Sequence, residues 1–185
     1  MNNYKSILCL VLWMLLNVSC MNYDDNIDNQ ISENDRTFVL NVIDGGIFEV
    51  KAGEIAVEKG DSLILGPMMG PDSLSVRAFG QMMIAEHSKA NDELRALSKK
   101  HGVSIPNVLS APKQKQVDSL MVLTGKAFDM AYTKMMVASH QETVSLFQSE
   151  AVSGTNSDLK SWAATKLPVL QQHLAAATSM RDAIK

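Results

Sequence analysis

The chain has 185 residues, of which 46% are apolar and 20% charged, enough for the core of one globular domain. Its formal net charge of -3 gives no basic surface to neutralise phosphates, which argues against nucleic acid as a partner. Both cysteines, Cys9 and Cys20, lie near the amino terminus, so the remainder of the chain can form neither a disulfide nor a thiolate metal site. A catalytic cysteine is excluded from that part as well.

The amino-terminal residues have the features of an export signal. Lys5 is followed by ten apolar residues, Ile7 to Leu16, whereas a transmembrane helix needs about 20. A short positive start and a brief apolar run predict a signal peptide over residues 1–19. The sequence LNVSC at 16–20 resembles a bacterial lipobox, so we expect Cys20 to be acylated and to hold the protein on a membrane through its lipid. The alternative is an ordinary cleaved signal with a chance cysteine.

Residues 20–35 are polar and acidic without an apolar period, which predicts a flexible tether between lipid and domain. Asp24 and Asp25 resemble the acidic tag that sends some Gram-negative lipoproteins to the cell surface. The alternative is a solvated linker that faces the periplasm. Both alternatives predict an outer-membrane lipoprotein of the cell envelope, and they leave an envelope protein partner and the oligomeric state open.

Helical spacing predicts two helices in the first half of the remaining chain. The first is expected over 34–59, and the second begins near Val76, with Asp72 or Ser73 as its cap and Gly102 as its stop. The residues at steps of three or four in the first helix are Phe38, Val42, Gly46, Glu49, Ala52 and Ala56. Those in the second are Val76, Gly80, Met83, His87, Ala90, Leu94 and Leu97.

Two further helices are predicted over 113–151 and 157–184, the latter capped by Ser157 and kinked or delayed by Pro168. The stripe of the third helix is Phe128, Tyr132, Met136, His140, Val144 and Phe147. The stripe of the fourth is Trp162, Val169, His173, Ala176 and Met180. The sequence thus predicts an all-α domain, a four-helix bundle, over residues 36–185.

Two linkers separate the predicted helices. The linker at 60–72 contains three glycines and two prolines and should be irregular. Its apolar residues either pack over one end of the bundle or form a partner-binding patch; they are Leu63, Ile64, Leu65, Met68 and Met69. The linker at 101–112 is long enough to run the length of a helix, so an up-down meander and a crossover bundle are both open.

Each predicted helix carries one polar side chain on its apolar stripe: Glu49, His87, His140 and His173. The sequence MMIAEH at 82–87 recurs as MMVASH at 135–140, so a methionine stands four residues before a histidine in both copies. This spacing places both side chains on one helix face. We assign four neighbouring residues to the same polar cluster, namely Glu86, Tyr132, Met83 and Met136.

Buried carboxylates and imidazoles must be hydrogen-bonded or coordinated, which leaves two interpretations of the inward cluster. In the structural one, which we prefer on the sequence alone, Glu49 accepts hydrogen bonds from the histidines and the cluster fixes helix register. In the other, Glu49, His87, His140 and His173 bind a zinc or copper ion, and the two methionines favour Cu(I). Convergence of the side-chain nitrogens and oxygens would distinguish them.

Four segments, residues 38–56, 76–106, 128–141 and 167–175, resemble in order the bacterial domain of unknown function family 4142. The resemblance covers about residues 36–181. It implies a ferritin-like four-helix bundle, typically exported and often lipid-anchored, with no established activity. Where the family commonly has Asp before the histidine of the second helix, this chain has Glu86, and it has Ser139 before His140.

Ferritin-like iron enzymes carry Glu-x-x-His on two helices, but here Ile84, Val137 and Leu170 stand three residues before the histidines. The di-iron pattern is absent, and we identify no catalytic residue. Three function classes remain: a non-catalytic envelope interaction or stress-related module, a metal-binding or metal-sequestering protein, and an enzyme of unrecognised type. They are ranked in this order because the first needs no residues beyond those of the bundle, the second needs the inward histidines to converge, and the third lacks a recognisable catalytic constellation.

Overall fold

The computed structural model describes residues 31–62 and 74–184. They form five helices: α1 (Glu33–Lys59), α2 (Val76–Lys100), α3 (Ala111–Met121), α4 (Gly125–Ser153) and α5 (Ser157–Ala183). The prediction of an all-helical bundle is confirmed. The predicted signal peptide, Cys20 and the apolar residues of the linker at 63–69 lie outside the described residues.

The four long helices pack so that each is antiparallel to its two neighbours. At one end of the bundle, the backbone amide of Thr155, after α4, donates to Asp35 Oδ1 in the first turn of α1 at 3.0 Å. At the same end, Lys100 at the end of α2 binds Asp158 at the start of α5 at 2.6 Å. The start of α1 therefore lies beside the end of α4, and the end of α2 lies beside the start of α5.

A long connection joins α2 to α4 and includes the short helix α3. At the opposite end of the bundle, Lys59 at the end of α1 donates to the carbonyl of Leu123, just before α4, at 3.4 Å. The chain must therefore run the length of the bundle between Lys100 and Gly125. This single crossover excludes the up-down meander. It is the connectivity that ferritin-like bundles have.

The predicted third helix, at 113–151, is wrong in one respect, because two helices occupy that range. The break lies between Met121 and Gly125, where Thr124 is extended and Gly125 has φ of 55°. The interior of an α-helix cannot contain this left-handed conformation, which glycine adopts without steric cost, so Gly125 stands at the start of α4. The apolar period continues on both sides of the break, so periodicity did not reveal it.

Two predicted helix caps are wrong by one to three residues. The N-cap of α2 is Ser75, whose hydroxyl accepts from the Ala78 amide at 3.1 Å. The N-cap of α5 is Asn156, whose side-chain oxygen accepts from the amides of the second and third helical residues at 3.1 Å. Both satisfy amides that a helix leaves unpaired at its start. Pro168 lies inside α5 without ending it.

Helix α1 begins inside the segment predicted as tether. Ser32 and Asp35 form a capping box, in which each side chain accepts from the backbone amide of the other. Asp35 is buried, so it belongs to the domain. The helical domain therefore begins at the Ser32 cap, before the boundary predicted at residue 36.

The predicted stripes of α1 and of the third helix are buried throughout, whereas that of α5 is shifted. Val169 is 38% exposed, and Trp162 is only partly buried. The buried residues of α5 are Leu159, Ala163, Leu170, His173, Ala177 and Met180. The two stripes share His173 and Met180, and packing against α4 selects the one that contains the leucines.

The apolar core consists of two clusters with a polar layer between them. Along α4, for example, Phe128 and Met136 belong to one cluster, and Val144 and Phe147 belong to the other. His140 lies between them in the helix, and the inward polar residues of the other three long helices have the same intermediate position. The fold therefore places one layer of polar groups at mid-height.

Two glycines allow α1 and α2 to approach closely. A Cβ at Gly53 would lie 2.8 Å from the carbonyl oxygen of Gly80, and a Cβ at Gly80 would lie 2.8 Å from the Cβ of Ala56. Both distances are shorter than real contacts allow. The backbone itself is the obstacle, so a side chain cannot rotate to relieve the clash.

We expect Gly53→Ala to destabilise the protein by about 1–3 kcal/mol, because α1 and α2 must move apart. Gly45→Ala in the same helix is the matched control, since its Cβ would meet only Thr143 Oγ1 at an ordinary 3.9 Å. That control should be neutral or stabilising by up to about 1 kcal/mol. Urea unfolding of both variants measures the difference, and equal stabilities would contradict the close approach.

Candidate metal centre

Three histidines from three helices converge in the polar layer. The ring centroids of His87 and His140 lie 5.5 Å apart, and each lies 5.4 Å from the ring of His173. One ring nitrogen from each residue lies within 4.8 Å of those of the other two. The residues are only 5%, 0% and 3% exposed, respectively. We call these three residues the histidine triad.

One nitrogen of each triad ring is held by the protein. His87 Nδ1 binds Glu49 Oε2 at 2.8 Å, and His173 Nε2 binds Glu86 Oε2 at 3.0 Å. His140 Nδ1 lies 2.8 Å from the carbonyl oxygen of Met136, one helical turn earlier. Each ring is thus anchored on its outer side, by a carboxylate or by a backbone carbonyl.

The other nitrogen of each ring has no hydrogen-bond partner among the described residues, although each is buried. These atoms are His87 Nε2, His140 Nε2 and His173 Nδ1. A buried nitrogen without a partner is costly, whereas a histidine that binds metal typically directs one nitrogen at the ion and the other at a carboxylate or carbonyl. The triad therefore combines anchored outer nitrogens with inner nitrogens that have no protein partner among the described residues, which is the arrangement of a metal-ligating set.

Glu49 lies behind His87 and not between the three rings. Its Oε2 binds the outer nitrogen of His87, and its Oε1 accepts from the hydroxyl of Ser139 at 2.9 Å. The same Oε1 is 3.5 Å from His140 Nδ1. Both oxygens are committed to the outer side of the triad, so the structure brings together three of the four predicted ligands and places Glu49 as their support.

The electrostatics of this layer keep two rings neutral. Burial alone would raise the pKa of Glu49, but the nearby His87 and His140 and the hydrogen bonds from His87 and Ser139 lower it to about 2. Burial opposes the charged form of His87, yet the Glu49 carboxylate outweighs it and raises the pKa of that ring. Burial lowers the pKa of His140, and it lowers the pKa of His173 to about 3. Neutral imidazole is the form that binds metal.

The three apolar residues of the predicted cluster lie in the core next to the triad. Met83, Met136 and Tyr132 are fully buried in one of the two apolar clusters. The ring of Phe79 lies 6.3 Å from the rings of both His140 and Tyr132, measured between centroids. Burial raises the pKa of the Tyr132 hydroxyl above its ordinary value, so it remains protonated.

The sequence predicted that Glu49 contacts the histidines, but it did not reveal the contacts of Glu86 and Ser139. Ser139 and Glu86 each immediately precede a triad histidine in the sequence. Their side chains reach different rings: Glu86 binds His173 of another helix, and Ser139 binds the carboxylate behind His87. Residue adjacency was an available signal, but it could not show which ring each side chain contacts.

The fourth described histidine, His101, lies outside the triad. Its Nε2 binds Asp158 Oδ2 at 2.9 Å, and its Nδ1 lies 3.3 Å from the side-chain nitrogen of Asn156. Its backbone amide also closes α2 by binding the carbonyl of Leu97. His101 therefore joins the end of α2 to the start of α5.

Comparison with known proteins gives one match. The family described as domain of unknown function DUF4142 matches residues 22–180. The chain belongs to that family. No curated protein matches it, and no solved structure matches it either. The match contains the whole histidine triad of this DUF4142 protein and begins two residues after Cys20. None of the described helices is long and apolar enough to cross a membrane.

Proposed function

We propose that this DUF4142 domain binds one transition-metal ion, zinc or copper, through the histidine triad. The observation that carries the proposal is the set of three buried ring nitrogens that have no partner within residues 31–62 and 74–184, on rings whose outer nitrogens are all anchored. The ligands would be His87 Nε2, His140 Nε2 and His173 Nδ1. Glu49 and Glu86 would supply the negative charge behind the rings.

The spacing of the rings fits a single ion. For a tetrahedral ion with nitrogens at about 2.0–2.1 Å, two ring centroids should lie about 5 Å apart. The triad rings lie 5.4 to 5.5 Å apart, so small side-chain movements bring the nitrogens to bonding distance. Three protein ligands leave a fourth coordination position for water or another molecule.

The structural interpretation accounts for only half of these contacts. Glu49 joins α1 to α2 and α4 through His87 and Ser139, as a register-fixing group would. The structural interpretation does not account for the inner nitrogens, because leaving a buried polar group unsatisfied costs about 1–3 kcal/mol. Binding of a metal ion by the triad accounts for both sides of the rings, so we place this function ahead of a purely non-catalytic interaction module.

The first test is the metal content of the purified protein. We expect about one zinc or copper ion per chain, and about a 100-fold or greater loss of affinity in His140→Ala, because one of three ligands is removed. His101→Ala is the matched control, since His101 is also buried against Asp158 but lies outside the triad. Titration with Zn(II) or Cu(II), followed by elemental analysis, measures both.

The proposal requires that the control variant and the triad variant differ in metal content. Equal metal content in the two variants would contradict a site at the triad. Circular dichroism of both variants, before and after chelation, shows whether each is folded. We expect the helical signal to survive chelation, because the two apolar clusters do not include the triad.

A second test addresses the anchored outer side of the triad. Glu49→Gln keeps the size of the side chain but removes the charge behind His87, so we expect the metal affinity to fall by about 10- to 100-fold. Glu54→Gln is the control, because Glu54 is an exposed residue of the same helix. Competition with a chelator measures the affinities, and an unchanged affinity in Glu49→Gln would contradict the supporting role.

We further propose that the protein is a lipoprotein of the cell envelope, anchored through acylated Cys20. The support is the lipobox-like sequence at 16–20, together with a family match that begins just after it. A bound ion would then be held or sequestered at the envelope. Surface exposure, which rests on Asp24 and Asp25, belongs to the same proposal.

Replacement of the cysteine tests the lipid anchor. Cys20→Ala should abolish partitioning into a detergent phase, because no acyl chain can be attached. Cys9→Ala is the matched control, since Cys9 lies within the apolar run of the predicted signal. Phase partitioning of cell extracts gives the answer, and a Cys20→Ala protein that still enters the detergent phase would rule out this anchor.

A further inference from the structure

We infer that a cavity beside the triad binds a small carboxylate with an apolar tail, whose head group takes the fourth position on the metal. The cavity has a volume of about 340 Å³. The triad residues His87 and His173 both line it, as does Glu49. This inference rests on the proposed metal site, because the ion provides the contact for the head group.

The walls of the cavity combine apolar surface with positive charge. Apolar side chains from α1, α4 and α5 line it, among them Val42, Phe147 and Trp162. Two cations, Lys89 of α2 and Lys166 of α5, line it too. An apolar wall with a few polar groups at defined positions is the usual composition of a small-molecule site.

The charges around a loaded site favour an anion. A divalent ion would balance the two carboxylates behind the rings, Glu49 and Glu86. Lys89 and Lys166 then add two positive charges, and Glu93, which pairs with Lys166 at 2.5 Å, offsets one of them. A carboxylate is therefore attracted to this cavity, and its oxygens are suitable ligands for zinc or copper.

The volume sets the size of the ligand. At about 30 Å³ for each water-sized group, the cavity accommodates about ten non-hydrogen atoms. Octanoate has this size, with a two-oxygen head and an unbranched apolar tail. A shorter acid such as acetate would leave the apolar walls uncovered, so we expect it to bind far more weakly.

Trp162 supplies a direct optical signal. The chain has two tryptophans, and the other is Trp13, in the predicted signal peptide. Trp162 lines the cavity and its indole nitrogen donates to Glu93 at 2.8 Å. Its fluorescence therefore reports on occupation of the cavity, independently of the metal.

The experiment titrates octanoate, acetate and 1-octanol into protein loaded with Co(II), whose visible spectrum reports changes in coordination. We expect octanoate alone to change both the cobalt spectrum and the Trp162 fluorescence at low concentrations. Lys89→Met should weaken octanoate binding by about fivefold, whereas Lys99→Met, at the exposed end of the same helix, should not. Ala90→Phe, which fills the cavity, should abolish the response while cobalt still binds.

Three results would overturn the inference. Normal cobalt binding without any response to octanoate would overturn it and leave the proposed metal site intact. Equal responses to octanoate and 1-octanol would show an apolar pocket without carboxylate recognition. Failure of cobalt, zinc and copper to bind at all would overturn the proposed function, and this inference with it.

Discussion

The structure depends on one buried carboxylate. Glu49 of α1 is 1% exposed, and its two oxygens bind His87 of α2 and Ser139 of α4. An ionised carboxylate that lost these partners inside the bundle would cost several kcal/mol, so the three helices are held in one register. The same register brings the rings of His87 and His140 close together, and His173 of α5 completes the triad. The contacts that position the helices therefore also assemble the triad.

The two apolar clusters offset the energetic cost of this polar layer. Each is built from all four long helices, and together they enclose the layer from both ends. Polar groups in the middle of a core lower stability unless every one is satisfied. Among the described residues, the outer nitrogens of the triad are satisfied and the inner ones are not, so the layer lowers stability while it holds three ring nitrogens close together. A cavity adjoins this layer and is lined by His87 and His173.

The sequence predicted the helices well and their connections less well. The spacing of Phe38, Val42 and Ala56, or of Phe128 and Tyr132, follows directly from the burial of one helix face. The break at Gly125 and the caps at Ser75 and Asn156 depend on single backbone conformations, which leave no trace in the period. The three histidines were predicted because each interrupts an apolar stripe. Their arrangement was not, because which ring nitrogen faces inward depends on contacts between helices, such as Glu86 with His173.

X-ray absorption spectroscopy of the zinc-loaded protein tests the central claim most directly, because it identifies the atoms bound to the ion. The account predicts three imidazole nitrogens at about 2.0–2.1 Å and one additional light atom. Fewer than three imidazoles, or a sulfur at about 2.3 Å, would contradict it, because the described ligand set contains only the triad nitrogens.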